Sequence, residues 1–286
     1  MNPDLYCQDK AARSGSSFYY SFLFLPPHRR RAITALYAFC REVDDVVDEC
    51  RDPAIARTKL AWWRQEIDAV FRGAPQHPVG LALAPAVAEF GLAPELFHEI
   101  IDGMAMDLEF NRYPDFKSLH LYCYRVASVV GEMAAGIFGY RRRETLKYAH
   151  QLGLAFQLTN IIRDVGEDAR RNRIYLPQDE LQRFGVGEAD ILAGRYTENF
   201  QRLMAFQAER ALDIYAQAYA ALPQEDCKAQ KTGLIMAAIY RALLEEIRRD
   251  AYRVLDRRIS LTPLRKLWLA WKTAAWDACP AKPNGG

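Results

Sequence analysis

Apolar residues recur along this chain at the three-and-four spacing of α-helices, and no alternating run is bounded as a strand would be. Between residues 29 and 49, Ala32, Leu36, Phe39, Val43 and Val47 form one stripe. Pro53 opens a second segment, 54–71, which Gly73 closes; proline at the start and glycine past the end is the expected asymmetry of a helix. Helices are then predicted over 80–89, 94–109, 119–138 and 143–165, followed by a loop over 170–177. Short helices over 178–184 and 188–193 precede long ones over 197–221 and 224–258. A last helix covers 263–278, and 280–286 reads as a frayed tail. Three stretches, 126–138, 152–162 and 233–244, are apolar nearly all round, as suits helices in the middle of a bundle or around an apolar cavity. The expectation is one all-α domain of about ten helices over 1–286, flexible from about residue 279.

Two polar clusters interrupt this pattern. In the first, Asp44, Asp45 and Asp48 break an apolar helix, with Arg41 and Tyr37 one and two turns before them. An acidic run of this kind is ordinarily a solvated helix face. The second is harder to dismiss: Gln157, Asn160, Asp164 and Asp168 lie at steps of three, four and four on one stripe. A core helix would not bury four polar groups without partners. A solvent-facing helix would not carry Leu154, Phe156, Leu158, Ile161 and Ile162. Two oxygen-rich stripes facing each other across a cavity would suit Mg²⁺ (Mn²⁺ in its place), which also holds substrate phosphates. Arg170, Arg171 and Arg173 follow directly, either as phosphate clamps or as an exposed loop. Residues 14–21 offer hydroxyls, or a plain turn. Tyr122, Tyr124 and Tyr240 sit on apolar helices, where packing is the plain explanation.

Composition narrows the classes. Half of the 286 residues are hydrophobic and the net charge is +2, which argues against a nucleic-acid-binding body. The six cysteines show no CxxC pair and no zinc spacing, so reduced thiols in a cytoplasmic protein are expected. The first residues show no signal peptide, and no apolar run approaches a membrane span. The stretch 267–272, with Leu267, Trp268 and Trp271, is open to two readings: contact with lipid at the inner face of the cell membrane, or packing on the bundle.

With their surroundings, the two clusters resemble the squalene/phytoene synthase family. The matching stretches are Ser17-Phe18-Tyr19; Leu36 to Arg41 with Asp44 and Asp48; Tyr122 to Gly131; Gln157 to Asp164 with Asp168; and Arg173 to Pro177. The family's common Val-Ala-Gly is Val126-Ala127-Ser128 here, and serine is small enough to keep the helix contact. Within the family the chain looks most like the bacterial presqualene diphosphate synthases of hopanoid biosynthesis, on residues 16–22, 101–108 and 163–169.

That resemblance implies an isoprenoid-synthase-type helical bundle around a central apolar cavity. It implies Mg²⁺-dependent head-to-head condensation of two farnesyl diphosphates. Asp44, Asp48, Asn160, Asp164 and Asp168 would hold the metal. Ser17, Tyr37, Arg41, Gln157, Arg163 and Arg173 would bind diphosphate, with Arg41, Tyr122 and Tyr240 in catalytic roles. NADPH is not expected to be required, and a downstream squalene-forming enzyme is the expected partner. Phytoene synthesis, complete NADPH-dependent squalene synthesis and a non-catalytic helical adaptor are the competing readings.

Overall fold

The structure, a computed structural model, describes residues 2–13, 18–50, 52–275 and 279. These form fourteen α-helices. In chain order they are α1 (Pro3–Arg13), α2 (Phe18–Phe22), α3 (Pro27–Glu49), α4 (Pro53–Phe71), α5 (Pro78–Phe90), α6 (Pro94–Glu109), α7 (Phe116–Cys123), α8 (Val129–Phe138), α9 (Glu144–Arg170), α10 (Gln178–Phe184), α11 (Glu188–Leu192), α12 (Glu198–Ala221), α13 (Lys231–Arg249) and α14 (Pro263–Ala275). A π-helical turn, Tyr124–Ser128, joins α7 to α8. The described residues contain no strand, only one isolated backbone bridge between Arg112 and Ile174.

Local chemistry sets many of the ends. Proline begins α3 to α6, where its missing N–H costs nothing. The side chains of Asp52, Asp115 and Thr197 accept the first free amides of α4, α7 and α12. Left-handed Gly91 and Gly185 stop α5 and α10.

Five features depart from the sequence pattern. The helix α1 has no broad apolar stripe, because it buries only Cys7 and Ala11. It is held instead by polar contacts to α3: Tyr6 donates to Glu42 at 2.6 Å, and Lys10 pairs with Glu42 and Asp45 at 2.9 and 2.8 Å. The stretch 14–21, read as hydroxyl-bearing or a turn, ends in α2; residues 14–17 lie outside the described residues. The predicted continuous helix 119–138 is interrupted by the π turn, which packs backbone to backbone on α9. A Cβ on Gly131 would sit 2.5 Å from the Ala149 carbonyl oxygen, and Ser128, fully buried, fits beside Gly153.

The other two departures are linked. The helix α9 runs through Gly166 to Arg170 rather than ending at 165, and the predicted helix 224–258 stops at Arg249. After Arg249, Ala251 and Tyr252 adopt left-handed backbone (φ 52° and 60°) and the chain turns back across α9. The Val254 and Leu255 carbonyls pass so near Gly166 that a Cβ there would lie 2.5 Å from the Val254 oxygen. Gly166 therefore serves a crossing and does not end the helix.

The expectation of six reduced thiols is also corrected. Cys227 and Cys279 form a disulfide, their Cα atoms 5.7 Å apart although 52 residues separate them, while Cys7, Cys40, Cys50 and Cys123 are free. Antiparallel packing of α13 and α14 creates that proximity, which cysteine spacing does not encode.

Two apolar cores result, one built on α3 to α6 and α8, the other on α9, α12 and α13. Phe18 and Val126 pack against both. Gly166→Ala should lower stability by about 1–3 kcal/mol through overpacking. A thermal melt unchanged from wild type would refute the close crossing.

Candidate active site

Where the two cores meet they enclose a cavity of about 190 Å³. Its walls come from Phe18 and Phe22 on α2, Leu36 and Cys40 on α3, Val126 and Val130, Leu152 and Phe156 on α9, and Met236 on α13. Tyr37, Gln157 and Asn160 supply polar groups at the end nearest the two acidic clusters; Ile33, Phe138 and Tyr148 line it farther away. Burial pushes the Cys40 thiol up to about 12, so it stays protonated in this wall.

Each acidic cluster is held by arginine. Arg41 binds Asp44 and Asp45, both at 2.6 Å. Asp48 pairs with Arg171 at 2.8 Å and Arg173 at 3.0 Å, so the loop following α9 reaches back to α3. Asp164 receives both forks of Arg163, Nε at 2.7 Å, and Arg258 at 3.1 Å. Tyr240 shares a hydrogen bond with Arg163 and packs on Phe156 with ring centroids 4.9 Å apart. Among the described residues, no three Asp, Glu, His or Cys side chains converge on a point that would hold an ion. The carboxylates are turned toward guanidinium groups.

Asp107, on α6, stands between the clusters. It feels Asp48 and disturbs Asp44 and Asp168 in turn, so carboxylates of both helices share one electrostatic field. Burial, more than mutual repulsion, raises all three: Asp44 and Asp107 to about 6, Asp168 to about 7. Asp107 accepts hydrogen bonds from Tyr122 at 3.0 Å and Tyr175 at 2.8 Å, whose rings stack 5.2 Å apart.

The predicted residues thus fall into three sets. Tyr37, Gln157 and Asn160 reach the cavity; Arg41, Asp44, Asp48, Arg163, Asp164, Asp168 and Arg173 form the charged rim with Tyr240; and Tyr122 lies buried against Asp107. Ser17 lies outside the described residues. Sequence reasoning missed Asp107, Tyr175, Arg258 and Lys266. No second acidic residue lies three or four positions from Asp107 to mark a face, although its place one turn after Gly103 on an apolar stripe was a signal. Arg258 and Lys266 arrive only through the turn after α13; Lys266 feels both Arg163 and Arg258, and burial holds its ammonium below its usual range.

The donors are of the hard oxygen type that Mg²⁺ takes, with the carboxylates turned to arginine in this arrangement. Asn160 Oδ1 is buried with no hydrogen-bond partner, while its amide nitrogen reaches Gln157 at 3.4 Å. An orphaned carbonyl oxygen beside desolvated carboxylates is what a hard cation would satisfy.

Known proteins share this fold. The chain is 38% identical over 277 residues to the phytoene synthase of Arthrospira platensis, covering 91% of this chain and 89% of that one. It superimposes on a dehydrosqualene synthase solved with a ligand with a TM-score of 0.83, 29% identity and 95% coverage of both chains. The squalene synthase HpnC of Alicyclobacillus acidocaldarius gives a TM-score of 0.76 at 29% identity, covering 87% of this chain and 94% of that one. The fold is therefore the helical bundle of the squalene synthases and their kin. Residues 11–265 match the squalene/phytoene synthase family, and the chain belongs to it.

Proposed function

We propose that this enzyme joins two farnesyl diphosphates head to head into presqualene diphosphate, releasing pyrophosphate and one proton. The observation carrying this reading is an apolar-walled cavity that opens onto one charged rim. Along α9, Asn160 at the rim and Tyr148 at the far end are twelve residues apart, about 18 Å of helix. An extended isoprene unit, four carbon–carbon bonds of about 1.5 Å, spans roughly 5 Å. Three units, about 15 Å, fit within that length.

The rim is organised for an exchange of partners. Arg41, Arg163, Arg171 and Arg173 now neutralise carboxylates, and the same forks match diphosphate oxygens bidentately. Mg²⁺, or Mn²⁺ in its place, held by Asp44, Asp48, Asn160, Asp164 and Asp168, would supply countercharge to the departing diphosphate. Gln157, Tyr37 and Ser17 complete the polar end. The apolar walls exclude water that would quench an allylic cation. The double bond of the second chain attacks that cation, and loss of a proton closes the cyclopropane. Tyr240 orients Arg163. Tyr122 and Tyr175 donate to Asp107, which fixes both phenols at the rim. The released presqualene diphosphate would pass to a separate squalene-forming enzyme, so this step needs no NADPH, and the reaction would run in the cytoplasm.

Phytoene synthesis from geranylgeranyl diphosphate is the second reading, favoured by the 38% identity to a phytoene synthase. Incubation with farnesyl diphosphate and Mg²⁺, with and without NADPH, followed by mass spectrometry, separates the two. Presqualene diphosphate is expected in both conditions. No product, with phytoene formed from geranylgeranyl diphosphate instead, would overturn the first reading; squalene with NADPH would make the enzyme a complete squalene synthase.

The raised carboxyls predict a pH dependence. Unfolded carboxyls lose their protons near pH 4. In the metal-free fold, Asp168 keeps its proton to about 7, and Asp44 and Asp107 to about 6. The stability those protons contribute is complete below the unfolded range and lost as pH rises through 6 to 7. Mg²⁺ needs the deprotonated groups. Its stabilising effect on the melting temperature should therefore grow from about pH 6 to about pH 8, and Asp168→Asn should flatten the metal-free dependence. A Mg²⁺ effect independent of pH across that window would contradict the assignment. Asp107→Asn keeps the shape but can no longer accept from both phenols as an anion. Turnover should fall about 10- to 100-fold with circular dichroism unchanged; turnover within twofold of wild type would remove Asp107 from the site.

A further inference from the structure

The outer face of α14 is the largest apolar feature on a single helix that the reaction leaves unused. Leu264, Leu267, Trp268 and Trp271 follow the spacing of one helical stripe and are 79%, 44%, 54% and 64% exposed. This is the stretch that the sequence left open between lipid contact and packing, and the structure divides it. Ala270 is fully buried and Leu269 packs on the core, whereas both tryptophans face outward. The inner side is firmly held. Lys231 donates to the Thr273 and Ala274 carbonyls at 3.4 and 3.2 Å, Arg265 pairs with Glu246 at 2.5 Å, and the Cys227–Cys279 disulfide anchors the end of the helix.

We infer that this face docks on an anionic lipid bilayer. Three observations select that occupant. First, exposed tryptophan beside leucine and lysine is the side-chain mixture of an interfacial helix: amphipathic rings at headgroup depth, apolar groups below and cations at the phosphates. Lys272 lies 4.9 Å over the Trp268 ring, at the edge of the stripe. Second, the charge is complementary. The helix α14 carries no acidic residue, and residues 245–275 hold eight Lys and Arg against four Asp and Glu, with Arg265 paired to Glu246 and Lys266 turned to the charged rim. Third, the stripe is too small for a stable dimer. A 13-residue helix presents about 20 Å by 10 Å, against roughly 800 Å² per partner in a standard protein interface.

The position also joins the surface to the cavity. The inner side of α14 packs on α13 and α2, which supply Met236, Phe18 and Phe22 to the cavity wall. A bilayer against α14 would lie two side-chain layers from bound prenyl chains. Prenyl substrates and hydrocarbon-rich products are far better solvated there than in water. This link rests on the proposed function, but the docking itself does not.

The test therefore uses no prenyl substrate. The purified full chain is sedimented with vesicles of phosphatidylcholine, and with vesicles of phosphatidylcholine mixed with phosphatidylglycerol. Wild type should partition onto the mixed vesicles and be released by salt. The double variant Trp268→Ser/Trp271→Ser should partition at least about 10-fold less. Trp62→Ser, an exposed tryptophan on α4, should behave as wild type. Leu264→Ser, the most exposed position of the stripe, serves as a milder variant if the double variant melts early, and should also weaken partition. Wild type left in the supernatant with both vesicles, or stripe variants that bind as wild type does, would overturn the inference. So would a wild-type dimer in light scattering that the double variant converts to monomer. If vesicle binding fails while product forms from farnesyl diphosphate, only the docking surface is lost; if binding holds and no prenyl product forms, only the enzymatic reading is lost.

Discussion

Carboxylates placed inside an apolar bundle must be neutralised, and this requirement governs how the molecule is assembled. Asp44, Asp48, Asp164 and Asp168 lie on helices whose other faces are core. Arginines from four separate segments answer them: Arg41 from the same helix, Arg163 from α9, Arg171 and Arg173 from the loop beyond it, and Arg258 from the turn after α13. The Arg173–Asp48 bond alone ties residues 125 apart in sequence. The charged rim is thus a structural clamp between the two cores.

The compensation is incomplete, and the deficit has a use. Asp44, Asp107 and Asp168 remain protonated to higher pH than ordinary carboxyls, and Asn160 Oδ1 has no donor. A rim short of positive charge is poised for cations, and arginines released from carboxylates are free to hold anions. On the proposed reading, a metal–diphosphate substrate would supply both ions at once. Binding would then rearrange ion pairs without creating buried charge, so the bundle need not open widely to admit its ligand.

Much of this was legible along the chain. The stripe Gln157, Asn160, Asp164 and Asp168 is polar only at positions that share one helix face, and that conflict with its apolar neighbours marked the site. Asp107 was not legible in the same way. It is one of five acidic residues on α6, and its meaning depends on Tyr122 and Tyr175, which come from other segments. Nor was the role of Gly166 legible: it makes room for the backbone of Val254 and Leu255 to cross the helix.

Periodicity determined the all-α class, most helix boundaries and the two acidic faces, because these depend on residues three and four apart. Tertiary structure decided the rest. It placed the π turn after α7, broke the helix after Arg249, brought Arg258 and Lys266 to Asp164 and Arg163, and paired Cys227 with Cys279. It also chose which side of α14 faces out. Each of these is settled by competition among surfaces far apart in sequence for one packed volume, and a local pattern carries no record of its outcome.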